Sequence, residues 1–181
     1  MHKNIKNLIY IQNEIKSKIF EHKIKDYNPN IIAISKTFKI DHILPLIKYG
    51  HIHFGENKIQ EAIDKWPEIK NKYVSIKLHM VGKLQTNKVK FAIKIFDYIH
   101  SVDNIKLARK ISDEQKKNNK KPKIFIQINI GNELQKSGIS KSEIKAFYNY
   151  CKDLDLDVIG TMCLPPNDNK PEIYFSEMKK L

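Results

Sequence analysis

The hydrophobic pattern of this chain changes period along its length, and the changes mark its elements. Over residues 3–23, Ile5, Leu8, Ile9, Ile15, Ile19 and Phe20 fall close to one stripe, which predicts an amphipathic first helix. After the turn signal Asn28-Pro29-Asn30 the period shortens. Residues 31–36 form a nearly continuous apolar run that reads as a strand buried on both faces. Alternation places Ile32, Ile34 and Lys36 on one face and Ile31, Ala33 and Ser35 on the other. Asp41 then caps a helix through Ile43, Leu44, Leu46 and Ile47 that Gly50 closes. Residues 51–57 alternate as a second strand and its exit, and 59–63 continue as a short helix that turns at Trp66-Pro67. The third strand is 78–82, with a helix over 87–96. The fourth is 98–103, with a helix over 104–117. Pro122 precedes the clearest strand, 124–130. Ser140 or Ser142 caps a helix to about Asp153, with Glu143 placed as the capping-box partner of Ser140. A sixth strand covers 157–164, Pro165-Pro166 begins a polar loop, and 172–181 closes in a last helical turn or two.

Strand and helix alternate six times without a hairpin signal, which predicts parallel βα units. An open doubly wound sheet and a (β/α) barrel both fit. A doubly wound nucleotide binder carries a glycine-rich turn after its first strand, whereas Lys36-Thr37-Phe38-Lys39 has no glycine. The barrel is therefore the preferred architecture. Eight units take roughly 250 residues, so six take about 190. At 181 residues the chain is expected to be a single (β/α) barrel domain over 1–181, incomplete at its C-terminus by two of eight units.

Composition changes little in that picture. With 41% hydrophobic and 29% charged residues the chain is globular. It shows neither an apolar run long enough to span a membrane nor a signal-peptide core, so a cytoplasmic, membrane-free protein is expected. Cys151 and Cys163, without CxxC spacing, indicate neither a disulfide framework nor a zinc site. The formal charge of +13 suggests nucleic acid. Against it, Arg109 is the one arginine, while base readout leans on arginine. The lysines are scattered, densest at Lys116-Lys117 and Lys120-Lys121 on an expected loop, and Tyr and Phe offer no stacking platform. No specific nucleic-acid partner is expected.

The candidate chemistry lies at the strand exits. Lys36, Gly55-Glu56-Asn57, Gly82-Lys83-Leu84-Gln85 and Ser101-Val102-Asp103 should converge on one rim, where parallel barrels hold their sites. A lysine there, desolvated by Ile32, Ile34 and the barrel wall, could attack an aldehyde to form a Schiff base, pyridoxal phosphate being the obvious aldehyde cofactor. Other groupings carry less. His51 and His53 share a strand face but have no carboxylate or cysteine at ligand spacing. Glu56 with Glu61 or Asp64 could make an acid–base pair, yet their spacing reads as first-turn and surface charges. Lys88 and Lys90 read as a solvated helix face.

The blocks Ala33-Ile34-Ser35-Lys36-Thr37, Phe54-Gly55-Glu56-Asn57-Lys58-Ile59-Gln60-Glu61 and His79-Met80-Val81-Gly82-Lys83-Leu84-Gln85-Thr86-Asn87-Lys88 resemble, in order and spacing, the pyridoxal phosphate homeostasis protein family. Ile99-His100-Ser101-Val102-Asp103, Lys136-Ser137-Gly138 and Gly160-Thr161-Met162 are similar to its later blocks. The resemblance implies a barrel of the alanine racemase N-terminal type and pyridoxal 5'-phosphate held on Lys36 with Asn57 beside its ring. It also implies a cytosolic role in cofactor homeostasis without settled catalysis. PLP-dependent apoenzymes are the partners it suggests, and a monomer the assembly.

The resemblance also has gaps. Family members continue with a Ser-Met-Gly-Met-Ser-like strand and a Val-Arg-Ile-Gly-like strand, which supply phosphate-binding amides and an arginine near the pyridine nitrogen; neither block is in this sequence. Weaker cofactor retention is therefore expected, with strands one and six left as open edges. A partly unfolded fragment, an oligomer and half of a split barrel stay open as outcomes. Three other functional readings also stay open: an inactive truncated remnant, a basic nucleic-acid-associating protein and an amino-acid racemase. The racemase reading lacks the second acid–base tyrosine, which the fold's racemases draw from an added β-domain.

Overall fold

The computed structural model describes residues 1–168 and 170–181. Six parallel strands make one sheet in the order of the chain: β1 (Ala33–Ile34), β2 (His53–Glu56), β3 (Lys77–Met80), β4 (Tyr98–Val102), β5 (Lys123–Ile128) and β6 (Asp157–Cys163). The first helix, α1 (Lys3–Glu21), precedes the sheet. Between strands run α2 (Ile40–Lys48), α3 (Ile59–Lys65), α4 (Pro67–Lys72), α5 (Val89–Ile95), α6 (Ile105–Asn118) and α7 (Ile144–Asp153), and α8 (Pro171–Lys180) follows β6. Each strand pairs in parallel with the next. Among the described residues β1 and β6 do not pair with each other, so the sheet stands open at both edges. Its order is that of consecutive barrel staves, as the six βα units predict.

The two faces of the sheet differ. Phe54, Leu78, Met80, Ile99, Ile124 and Ile126 alternate onto one face and are wholly buried. They share a core with Ala62 and Trp66 beside α3, Val89, Ala92 and Ile93 of α5, and Leu107, Ala108 and Ile111 of α6. Burying each large side chain contributes about 1.5–3 kcal/mol, so this helix-covered face carries the fold. The opposite, inner face takes His53, Gly55, His79, His100, Phe125 and Gln127.

Local signals account for most element ends. The Asn104 side chain caps α6 by accepting from the Leu107 amide at 2.9 Å, and Asn119, in the left-handed region at φ 45°, closes it. Ser140 and Glu143 form the expected capping box, which leads through a 3-10 turn into α7. Four expectations need correction. Asp41 lies in the first turn of α2 and does not cap it; Lys39 occupies the cap without a side-chain bond. Pro67 starts a further helix, α4, where a turn was expected, because proline is pre-set for a first helical position. Lys116 and Lys117 sit in the last turn of α6, where cations suit the helix dipole, and only Lys120 and Lys121 follow it. Finally, β1 is two residues long and is not buried on both faces: Ile34 is 48% exposed, because an edge strand has one neighbour and its inner face is uncovered.

Candidate functional site

Parallel pairing brings the strand exits onto one rim. Ala33 pairs with Phe54 and Ile34 with Gly55, and the Ser35 amide donates to the Gly55 carbonyl at 2.9 Å. Lys36 follows Ser35 just past β1 and Asn57 is the second residue beyond Gly55, so the two follow neighbouring strand exits. Gly82 adjoins them. A Cβ at Gly82 would run into the backbone of Asn57, so only glycine lets the β3 exit approach this closely. Ile32, Ile34 and Val81 crowd the place a Cβ would take on Gly55, at 3.2, 2.7 and 3.4 Å. The wall beneath the Lys36 turn is thus apolar, and Ile32 and Ile34 share a face as the alternation predicts.

Lys36 itself lies in a turn past β1 and is exposed. The desolvation expected from the barrel wall is not present, because the inner face of the edge strand is uncovered. Asn57 is part-buried, and among the described residues its Oδ1 is buried without a hydrogen-bond partner. An open amide acceptor at the rim is a place for a ligand donor, since buried polar atoms are normally paired.

Behind the turn lies a charged network that the sequence reading missed. Glu56 is 0% exposed on β2, far from the surface charge its spacing suggested. Its Oε1 accepts from Ser35 Oγ at 2.7 Å and Trp66 Nε1 at 3.0 Å, and lies 2.8 Å from Lys65 Nζ. Lys65 also donates to the Ser35 carbonyl at 2.9 Å, the Phe38 carbonyl at 3.0 Å and Glu61 Oε1 at 2.9 Å. Glu61 Oε1 in turn accepts the Thr37 amide at 2.6 Å. Partial burial opposes the charge on Glu61, but the bonds from Lys65 and the Thr37 amide outweigh it and hold the carboxyl below its ordinary range. Neither Glu61 nor Asp64 pairs with Glu56 as a second carboxylate: Lys65 stands between Glu56 and Glu61, and Asp64 accepts from Gln60 at 3.0 Å. The sequence signal was present in Glu61 and Lys65 at i, i+4, but Glu56 joins them only through the fold.

A second cluster crosses the inner face below the rim. His53 Nδ1 lies 2.9 Å from His79 Nε2, and His79 Nδ1 lies 2.9 Å from His100 Nε2. Tyr98 stacks on His79 at 4.2 Å between centroids and Phe125 on His100 at 4.3 Å. Burial pushes His79 down to about 3, with the neighbouring His100, His53 and Lys70 adding to the effect, and burial lowers His100 to about 4. His51 does not join: its Nε2 contacts the His53 carbonyl oxygen at 2.8 Å. Among the described residues no group of three His, Cys, Asp or Glu is arranged to hold a metal. Lys88 and Lys90 are exposed, as a solvated helix face predicts. Among the described residues no helix is long and apolar enough to cross a membrane.

Comparison with known proteins places this rim in context. A family model of the alanine racemase N-terminal domain matches residues 16–180. The chain is 34% identical over 180 residues to the pyridoxal phosphate homeostasis protein of Haemophilus influenzae, covering 97% of this chain and 76% of that protein. To the protein of that name from Pasteurella multocida it is 33% identical over 180 residues, covering 97% and 77%. It superposes on PipY of Synechococcus elongatus PCC7942 with PLP bound at a TM-score of 0.75 and 27% identity, covering 90% of this chain and 78% of that one. An alanine racemase of Clostridium difficile aligns at a TM-score of 0.67 and 14% identity, covering 88% and 43%, which shows the fold alone.

Proposed function

Since the chain belongs to the alanine racemase N-terminal domain family, and within it to the pyridoxal phosphate homeostasis proteins, we propose that it binds pyridoxal 5'-phosphate as a Schiff base on Lys36. The role is binding and buffering of the cofactor in its homeostasis, with PLP-dependent apoenzymes as recipients, rather than turnover. The observation that carries the reading is the rim itself: an exposed primary amine on Lys36 beside a buried, unpartnered amide acceptor on Asn57. PipY, similar over 90% of this chain, has PLP bound.

The residues present fit an aldehyde ligand. Lys36 would hold the cofactor through its side-chain nitrogen, which would take the place of the aldehyde oxygen with release of water. When bound, the cofactor supplies an electron-withdrawing ring. Asn57 offers its open acceptor to a ligand donor, and the absence of a side chain on Gly82 leaves room for the Asn57 backbone beside it. The apolar wall of Ile32, Ile34 and Val81 lines the inner side of the rim.

The test is borohydride reduction in excess pyridoxal phosphate followed by peptide mapping. Label is expected on Lys36 and is expected to be lost from that site in Lys36→Ala. Label on other lysines with position 36 bare would overturn the proposal. Incubation with L-alanine and cofactor is expected to yield no D-alanine.

A further inference from the structure

Thr37 is a β-branched residue at φ 66°, in the left-handed region that such side chains rarely adopt. It follows the lysine on which the proposed function rests, so whatever holds Thr37 there also sets where the Lys36 amine starts. Within the turn, the Phe38 amide donates to the Ser35 carbonyl at 3.2 Å, which does not by itself fix a non-glycine residue in this conformation. The remaining restraints come from α3.

We propose that Glu61 and Lys65 are positioning residues for the Lys36 amine, bracketing its turn from one face of α3. Glu61 takes the Thr37 amide, and Lys65 ties down the carbonyls on either side of Lys36 and Thr37. The two residues are one helical turn apart and bonded to each other, so the bracket moves as a unit with the helix. Glu56 anchors it from the sheet: its carboxylate meets Lys65 at 2.8 Å, with the Lys65 side chain only 8% exposed. An ammonium has three protons and here faces four acceptors, so Lys65 has none left for a ligand. The division of labour is therefore between two lysines, Lys65 buried behind the turn and Lys36 free in front of it.

This inference rests on Lys36 being the cofactor lysine, and two measurements separate the two ideas. Hydrogen exchange at the Thr37 amide reads the bracket without cofactor. Exchange is expected to speed by about tenfold or more in Glu61→Ala, as for any amide losing its acceptor, and less in Glu61→Gln, which keeps an oxygen there. Unchanged exchange in Glu61→Ala would overturn the inference whatever Lys36 binds. The second readout is borohydride labelling with pyridoxal phosphate. Glu61→Ala and Lys65→Met are expected to lower the rate of labelling at Lys36 by about tenfold, with label moving to other lysines, while circular dichroism stays that of the folded chain. Glycine adopts a positive φ without help, so adding Thr37→Gly to Glu61→Ala is expected to restore labelling at Lys36. A general loss of stability would not be rescued that way, and labelling of Lys36 at the wild-type rate in Glu61→Ala would sink the proposal. Wild-type protein left unlabelled at Lys36 would instead remove the cofactor lysine, and with it the positioning role.

Discussion

His79 and His100, on adjacent strands, lie 2.9 Å apart between Nδ1 and Nε2, and His79 makes a second contact of the same length to His53. When all three rings are neutral, each contact needs one proton, so the three must share one tautomer sense along the run. Charging one of them is costly, because His79 is 3% exposed and His100 8%, between the Tyr98 and Phe125 rings.

Acid should therefore unfold the protein through these rings. Their folded-state values of about 3 and about 4 lie below the ordinary value of 6.5. The unfolded chain binds the extra protons, so the stability they confer is complete above pH 6.5. It is eroded as pH falls and gone by the folded-state values. Each ring then gives a slope of about 1.4 kcal/mol per pH unit inside its window. Lys77 and Asp97, the charged groups that act on His53, bias the end of the run in opposite directions. Urea midpoints from pH 7.5 to 4.5 measure this. His79→Phe should be less stable at pH 7.5, by about 1–3 kcal/mol for the contacts left open, yet lose less on acidification. An equal slope in the variant would contradict the assignment.

Glu56 makes a sharper stability prediction. Glu56→Ala would leave the Lys65 ammonium buried against fewer acceptors, and Ser35 Oγ and Trp66 Nε1 without their shared partner. Breaking such a buried pair costs about 3–5 kcal/mol. Trp66→Phe removes one donor and keeps the ring beside Phe54, so about 1–3 kcal/mol is expected. Equilibrium unfolding of both variants gives the ranking, which reverses if the carboxylate is a surface charge.

The sheet order and nearly every element were legible in the sequence, because apolar period and turn residues are local properties. The histidine run was not, because it depends on lateral register. Gly55 pairs with His79, and His79 pairs with Tyr98, so each histidine meets the next diagonally, two residues off its paired partner. Glu56 was misread for a related reason. Spacing from Glu61 suggested a helix start, whereas Glu56 is the last residue of β2 and faces α3, where Lys65 reaches it. Lys36 and Asn57 were expected on one rim because the exits of parallel strands converge, but the exposure of Lys36 follows from β1 being an edge strand with an uncovered inner face.

The two cysteines should differ in reactivity. Burial raises the Cys151 thiol to about 11, and raises Cys163, which is part-exposed at the end of β6, by less burial. A disulfide reagent at pH 8 is expected to label Cys163 first and Cys151 only after denaturant is added. Simultaneous labelling in native buffer would show that the α7 face carrying Cys151 opens freely.

Gly82 links the fold to the rim. Its α-carbon faces the Asn57 backbone, so Gly82→Ala forces one of two strand exits to move and should cost about 1–3 kcal/mol, as overpacking does. Gly160→Ala is the matched control: its added Cβ meets only the Phe125 ring, at 3.2 Å, which can yield by a few tenths of an ångström. If Asn57 contributes to holding the cofactor, Gly82→Ala should weaken pyridoxal phosphate binding by about tenfold or more, and Gly160→Ala should leave it near wild type. A fluorescence titration of the folded variants decides between them. Equal affinity in both would mean that the Asn57 amide takes no part in binding, and would leave Lys36 as the sole anchor at this rim.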